Sequence, residues 1–210
     1  MITSRVLFCT LLAAGTVGTA TAADAASSPA ATSPAGSSRA AASPTAPRAA
    51  FSITSSAFRP GGMIPKVHLC TSDGSGDPAQ KNESPPFTWT GGPAEAKSYA
   101  IIMRDLDNNA LLHWIIYDIP ATVGSLPQNV EHVYQPTVPA GSRQIYYRGS
   151  ASLFGYQGPC SPSSINTYEF TVYALNKATL SELNQNSSIR TAAQAIMKAS
   201  IGSTAVSGES

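Results

Sequence analysis

Residues 97–119 read KSYAIIMRDLDNNALLHWIIYDI, and this stretch decides the fold class. Its two halves, residues 97–105 and 111–119, are rich in β-branched and aromatic residues, which favour β-strands. Both halves are almost continuously apolar, so we expect each strand to be covered on both faces. The polar residues 105–110 predict the loop between them. The stretch therefore predicts two buried central strands joined by a short loop.

The rest of the chain predicts more strands and, near the C-terminus, a helix, where the apolar residues change from strand-like to helical spacing. Three further segments have the composition of strands, namely residues 51–58, 143–148 and 167–175. Near the C-terminus, the apolar residues of 187–200 fall at helical spacing, with Ser187 or Ser188 as the candidate N-cap. A shorter helix is expected over residues 178–184. These patterns predict a mainly β protein, an antiparallel β-sandwich with a few peripheral and C-terminal helices.

The N-terminal region predicts export. Residues 1–22 carry one arginine, a short apolar run and an A-x-A pattern at Ala20 and Ala22, which is typical of a signal peptide. Residues 23–50 are almost wholly Ala, Ser, Thr, Pro and Gly, and predict a flexible linker. No later segment approaches the roughly 20 apolar residues that a membrane-spanning helix needs. We expect a folded domain over residues 51–210 that is secreted or periplasmic.

The charge of the predicted domain excludes one class of partner. From residue 51 onward, ten Lys and Arg stand against eleven Asp and Glu, without a basic run or stripe. Nucleic acids are bound through clustered positive charge, so we expect no nucleic-acid partner.

Two cysteines, Cys70 and Cys160, remain after the predicted signal peptide. In an oxidising compartment such a pair is more often a disulfide than two free thiols. Two separately buried thiols are the alternative. No Cys or His stands at the short spacings that zinc sites favour, so we expect neither a metal nor a cofactor.

The loop of the opening stretch carries its chemistry. Asp105 and Asp107, two residues apart, project to the same side if the strand continues, and His113 follows across the loop. These three side chains could hold a divalent ion, but a catalytic metal site needs at least three ligands with a defined second shell, and only His68 and His132 remain to supply further imidazoles. A nucleophilic triad lacks a G-x-S-x-G elbow and an activated thiol. The remaining alternative is structural, with both aspartates capping the turn and His113 a satisfied core residue.

Four features in order resemble the phosphatidylethanolamine-binding protein family, in its bacterial, Raf-kinase-inhibitor-like branch. They are the two cysteines and the segments KNESPPFTW (81–89), MRDLDNNALLHWIIYDIPATVGSLPQ (103–128) and GYQGPCSPSSINTYEFTVYAL (155–175). The resemblance implies a β-sandwich with a small pocket for phosphate or phospholipid headgroups at one end. In the first segment, Pro85, Pro86 and Trp89 are expected to be structural.

The resemblance also assigns residues to the pocket. The family's D-P-D-x-P motif looks like residues 105–109 here, and its pocket histidine looks like His113. Its glycine-proline segment is similar to Gly158 and Pro159. Its H-R-Y element falls on residues 166–168. The implied ligand-binding set is Asp105, His113, Gly158, Pro159, Asn166 and Tyr168, whereas Asp107 is expected to cap the turn.

Departures from the family pattern bear on affinity. Both prolines of the first motif are replaced, by Leu106 and Asn109, so the loop loses two fixed φ angles. A second histidine is replaced by Asn166, which donates a hydrogen bond but carries no charge. We expect weaker phosphate binding than in a full-motif member, or a different ligand. Asp105 is expected to orient His113 and raise its pKa, or to meet the ammonium of a zwitterionic headgroup.

Three functions remain after the sequence is read. The favoured one is an exported, non-enzymatic binding protein for a small anionic ligand or a phospholipid headgroup. The second is an interaction or inhibitor protein that acts on a protease or signalling partner through the pocket loops. The third is a hydrolase that uses Asp105 and His113, although a nucleophile is missing.

Overall fold

The computed structural model of the protein describes residues 49–145, 154–161 and 163–210. The predicted signal peptide and all but the last two residues of the predicted linker lie outside the described residues. No helix in the described part of the chain is long and apolar enough to cross a membrane.

Within the described residues, nine strands form two sheets, and one helix packs on the larger sheet. The six-stranded sheet has the order β2-β9-β8-β4-β5-β7, and the three-stranded sheet has the order β1-β3-β6. The strands are β1 (Ser52–Ser55), β2 (Gly62–Met63), β3 (Phe87–Thr90), β4 (Ser98–Asp105), β5 (Leu111–Pro120), β6 (Ser125–Leu126), β7 (Arg143–Ile145), β8 (Thr167–Leu175) and β9 (Ser200–Glu209), with helix α1 (Ile189–Ala199) and a 3₁₀ turn (Lys66–His68).

The mainly β class is confirmed, but the purely antiparallel arrangement is wrong. Strand β2 pairs with β9 in parallel at the edge of the large sheet. The remaining strand pairs of the described residues are antiparallel. The short β2 covers only the C-terminal end of the outer edge of β9, at Gly208 and Glu209. The sheet is therefore mixed.

The central strands are covered on both faces, as their composition predicts. Ile101, Met103 and Trp114 face the small sheet and belong to the core between the two sheets. Ile102 and Ile115 face the other way and pack in a second core beneath α1. All five side chains are fully buried. Because each face of β4 and β5 meets a separate apolar layer, the strands have no polar face.

The C-terminal region combines a correct prediction with two errors. Helix α1 begins after Ser188, whose Oγ accepts a hydrogen bond from the backbone N–H of Thr191 at 3.0 Å. The helix predicted over residues 178–184 is absent; turns occupy that segment. The backbone N–H of Leu180 donates to Asp118 Oδ1 at 2.9 Å, a tertiary contact that fixes this segment against β5. The sequence did not predict strand β9, because its small residues show no clear alternation of apolar and polar side chains.

Candidate functional site

The candidate site lies where β4 ends and β8 begins. Asp105 is the last residue of β4, pairs directly with Tyr168 of β8, and is 2% exposed. Its Oδ1 accepts a hydrogen bond from the backbone N–H of Asp107 at 3.0 Å, and its Oδ2 accepts one from Asn166 Nδ2 at 2.8 Å. The buried carboxylate is therefore satisfied by the loop on one side and by the amide on the other.

Asp107 connects the loop to β8. Its Oδ2 accepts a hydrogen bond from the backbone N–H of Thr167 at 2.6 Å, and the N–H of Leu106 donates to the Thr167 carbonyl at 2.9 Å. The carboxylate that caps the local turn belongs to Asp105, whereas that of Asp107 crosses to the neighbouring strand. Asp107 is exposed and lies outside the buried cluster.

A β-bulge brings His113 to the same face as Asp105. The register between β4 and β5 shifts so that Met103 pairs with Trp114 but Arg104 pairs with Leu112. His113 lies in the interrupted position, and its ring packs edge-on against Tyr168 at a centroid distance of 5.3 Å. In a regular strand, His113 would instead share the α1-facing side with Ile115.

His113 is 3% exposed, and its hydrogen bond defines a tautomer. Nδ1 lies 3.2 Å from the carbonyl oxygen of Gln157. Because a carbonyl only accepts, the proton of this bond is on Nδ1. Burial lowers the pKa of His113, and this effect outweighs the opposing contributions of the Gln157 carbonyl and the Asp105 charge. Asp105 does raise the pKa of His113, as expected, but desolvation is the larger effect and the pKa is lowered on balance.

Asn166 and Tyr168 complete the cluster. The Asn166 Oδ1 accepts from Ser164 Oγ at 2.8 Å, while one Nδ2 hydrogen goes to Asp105. Tyr168 is fully buried, and its hydroxyl lies 3.5 Å from Ser161 Oγ. Burial raises the pKa of Tyr168, so its hydroxyl keeps its proton near neutral pH. We refer to Asp105, His113, Asn166 and Tyr168 as the polar cluster.

Gly158 and Pro159 form a wall beside the cluster. The N–H of Gly158 donates to Asn82 Oδ1 at 2.8 Å, and the Pro159 carbonyl accepts from the N–H of Cys70 at 3.0 Å. A disulfide joins Cys70 to Cys160, with their Cα atoms 5.4 Å apart. The predicted pairing of the two cysteines is thus present, and it holds residues 157–160 against the 3₁₀ region.

Asn82 has a role in this wall that the sequence analysis did not identify. Its backbone is in the left-handed region, with a φ of 56°. Its side chain bridges two segments, since Nδ2 donates to the Tyr156 carbonyl at 3.2 Å while Oδ1 accepts from Gly158. Asparagine tolerates left-handed backbone better than most residues, and that tolerance was the available signal.

The residues expected to be structural lie in or beside the core. Trp89 in β3 is 4% exposed and packs against Tyr99 at a centroid distance of 5.6 Å. Its Nε1 is a buried donor without a partner among the described residues. Pro85 is buried, and the Pro86 carbonyl accepts from Ser55 Oγ at 2.7 Å. Within the described ranges, no three His, Cys, Asp or Glu side chains converge as metal ligands would.

The histidines predict a pH-dependent stability. Burial lowers the pKa values of His68, His113 and His132. The unfolded chain therefore binds more protons near pH 6, so the free energy of unfolding should fall as the pH drops below the unfolded pKa of about 6.5. Each histidine contributes a slope of at most about 1.4 kcal/mol per pH unit.

Urea denaturation between pH 7.5 and 5 measures this slope, and His113→Gln should make it shallower. The glutamine amide can still donate to the Gln157 carbonyl but does not titrate. An unchanged slope in the variant would show that His113 has no lowered pKa in the folded state.

This chain belongs to the phosphatidylethanolamine-binding protein family, because the model of that family matches residues 54–210. The resemblance noted in the sequence is thereby confirmed. A UPF0098 protein of Methanothermobacter thermautotrophicus is 38% identical over 127 residues, which cover 60% of this chain and 76% of that protein. The UPF0098 protein YbcL of Escherichia coli K12 is 32% identical over 136 residues, which cover 62% of this chain and 72% of YbcL.

The fold agrees with this assignment. The crystal structure of E. coli YbcL, described as a new member of the mammalian PEBP family, superposes with a TM-score of 0.65 and 26% sequence identity. The superposition covers 77% of this chain and 98% of YbcL.

Proposed function

We propose that this protein is exported and binds a small ligand with a phosphate-containing headgroup at the polar cluster, without catalysing a reaction. One observation carries the proposal: a buried imidazole and a buried carboxylate lie together under a chain segment that a disulfide holds in place. Membership of the phosphatidylethanolamine-binding protein family supports it. The N-terminal sequence and the disulfide support export, since disulfides persist in oxidising compartments.

The charges of the cluster favour a zwitterionic headgroup over bare phosphate. With a lowered pKa, His113 is neutral near pH 7, so a phosphate would face the Asp105 carboxylate without a cation. An ethanolamine ammonium beside Asp105 removes that conflict. The phosphate can then accept from the Tyr168 hydroxyl and from the second hydrogen of the Asn166 amide. We therefore expect phosphoethanolamine to bind more tightly than phosphate.

Ligand entry requires one contact to open. The polar cluster is buried, and its longest hydrogen bond is the 3.5 Å contact between Ser161 Oγ and the Tyr168 hydroxyl. A bond at this distance is weak, so it yields most easily. Gly158 and Pro159 stay in place, because they are held by the disulfide, by the Asn82 side chain that accepts from the Gly158 N–H, and by the Cys70 N–H that donates to the Pro159 carbonyl. The ligand thus displaces the Ser161 hydroxyl from Tyr168 and meets the preorganised wall formed by Gly158 and Pro159.

Calorimetric titration of the full chain with phosphoethanolamine, glycerophosphoethanolamine and phosphate tests this proposal. Tyr168→Phe removes the hydroxyl but keeps the ring against His113, and should weaken phosphoethanolamine binding about tenfold. His113→Ala, checked for folding by circular dichroism, should abolish it.

Tyr173→Phe is the matched control. Tyr173 lies on the same strand, but its hydroxyl accepts from Arg104 on the opposite face of the sheet. The Tyr173→Phe variant should bind phosphoethanolamine with the same affinity as the unmodified protein. Absence of binding by the unmodified protein, or an equal loss in both tyrosine variants, would contradict the proposal.

A further inference from the structure

A groove of about 920 Å³ lies on the α1 side of the large sheet, away from the polar cluster. The loop between β4 and β5 forms one wall, and the first turns of α1 form the other. Arg104 pairs with Leu112 and Glu169, so its side chain is on the α1 face, whereas Asp105 and Tyr168 are on the opposite face. The volume is within the range of small-molecule pockets, about 300–1,000 Å³.

The charged side chains that line the groove are both cationic. They are Arg104 and Arg190, and no Asp or Glu of the described residues contributes to the lining. Arg104 donates from Nη2 to the Tyr173 hydroxyl at 3.0 Å, and its Nη1 lies 3.5 Å from Glu169 Oε1. Arg190 is exposed, and within residues 49–145, 154–161 and 163–210 no carboxylate lies at ion-pair distance from it. The positive charge of Arg190 is thus uncompensated.

Two features of the groove walls reduce the stability of the fold. Arg190 lies in the first turn of α1, where the helix dipole is already positive and where no acidic residue is present. In the opposite wall, Asn109 and Ala110 have φ values of 49° and 52°, and the N–H of Leu111 donates to the Asn108 carbonyl. This is the geometry of a type I′ turn, which prefers glycine where Ala110 stands. Features that destabilise the fold and occur together at one surface are typical of a binding site.

The remainder of the groove is apolar. Leu111, Leu112, Ile189, Ala193 and Met197 line it, and Met197 is 49% exposed. An ion without a hydrocarbon portion would leave this surface in contact with water. The lining therefore matches a ligand with one anionic end and one apolar end.

We propose that this groove binds a single-chain anionic amphiphile, with its carboxylate or phosphate at Arg190 and Arg104 and its alkyl chain along Leu112, Ala193 and Met197. The site is separate from the polar cluster and does not depend on the function proposed for it. A free fatty acid and a single-chain lipid phosphate share this chemistry.

Calorimetric titration of the full chain with octanoate and octyl phosphate, below their micelle concentrations, tests the site and separates the two sources. Binding of either anion is expected, and the tighter one identifies the headgroup. Affinity should increase by up to about fourfold for each added methylene. Acetate and octyltrimethylammonium should not bind, because the first lacks the chain and the second carries the wrong charge.

Arg190→Glu and Lys198→Glu form a matched pair, since both reverse one charge on the exposed side of α1. Only Arg190 lines the groove. Arg190→Glu should weaken octanoate binding at least tenfold while raising the melting temperature, because it favours the helix dipole. Lys198→Glu, in the last turn, should leave affinity within about twofold and lower the melting temperature.

Met197→Asp is a second test that does not depend on the helix terminus, and it should also weaken binding. His113→Ala should leave octanoate binding unchanged. No binding of either anion, equal affinity in the Arg190→Glu variant, or equally tight binding of octyltrimethylammonium would overturn the proposal.

Discussion

Loss of the Cys70–Cys160 disulfide is expected to lower the free energy of unfolding by about 4 kcal/mol. The bond joins residues that are 90 positions apart, so it removes a large amount of chain entropy from the unfolded state. It also holds the wall of the candidate site, since Cys70 is fully buried and its N–H donates to the Pro159 carbonyl. Urea denaturation with and without reductant measures the effect.

The double variant Cys70→Ala/Cys160→Ala is the control for the reductant. Its stability should match that of the reduced protein and should not respond to reductant. Intact mass of the unreduced protein should be lower by two hydrogens than after reduction. If a thiol reagent labels Cys70 or Cys160 in the unreduced, unfolded protein, the two cysteines are not bonded and the expectation fails.

Gly158→Ala is expected to destabilise the protein by about 3 kcal/mol or more. A Cβ at this position would overlap the carbonyl oxygen of His68 and would lie 2.9 Å from the backbone nitrogen of Cys70. These are backbone atoms, and the disulfide and the Cys70–Pro159 hydrogen bond prevent them from moving aside. The substitution should also separate the Gly158 N–H from Asn82.

Gly124→Ala is the matched control. The nearest atom to a Cβ there is the Trp89 carbonyl oxygen at 3.4 Å, which is an ordinary contact. Its free energy of unfolding should change by less than about 1 kcal/mol. Equal urea midpoints for the two alanine variants would show that the wall around Gly158 can relax, and would remove the argument for a preorganised site.

Much of the fold was predictable because composition and periodicity report local burial. The continuous apolar character of residues 97–105 and 111–119 identified β4 and β5, and the strand predicted over residues 167–175 matches β8 in both bounds. Ser188 was recognised as one of two possible caps for α1. Strand β9 escaped prediction because Gly, Ser, Thr and Ala residues carry little hydrophobic signal, and its pairing with β8 is what orders it.

The sequence predicted which residues form the polar cluster, but it did not predict the hydrogen bonds between them. The family motifs brought Asp105, His113, Asn166 and Tyr168 into one set. The hydrogen bond from Asn166 to Asp105 was not foreseen, because a motif gives residue types and not partners. Neither was the lowered pKa of His113, because the degree of burial depends on the chain segment that covers the ring.

The sequence by itself determined the mainly β class, the buried central strands and the capped helix, since each depends on residues close together in the chain. It determined the candidate polar residues through the family motifs, which are spread along the chain. The tertiary structure alone decided the mixed sheet, the groove beneath α1 and the face on which His113 lies. The bulge that turns His113 toward Tyr168 is a register shift between β4 and β5. Register is set by how two strands and the layers on either side pack together, and no single segment contains that information.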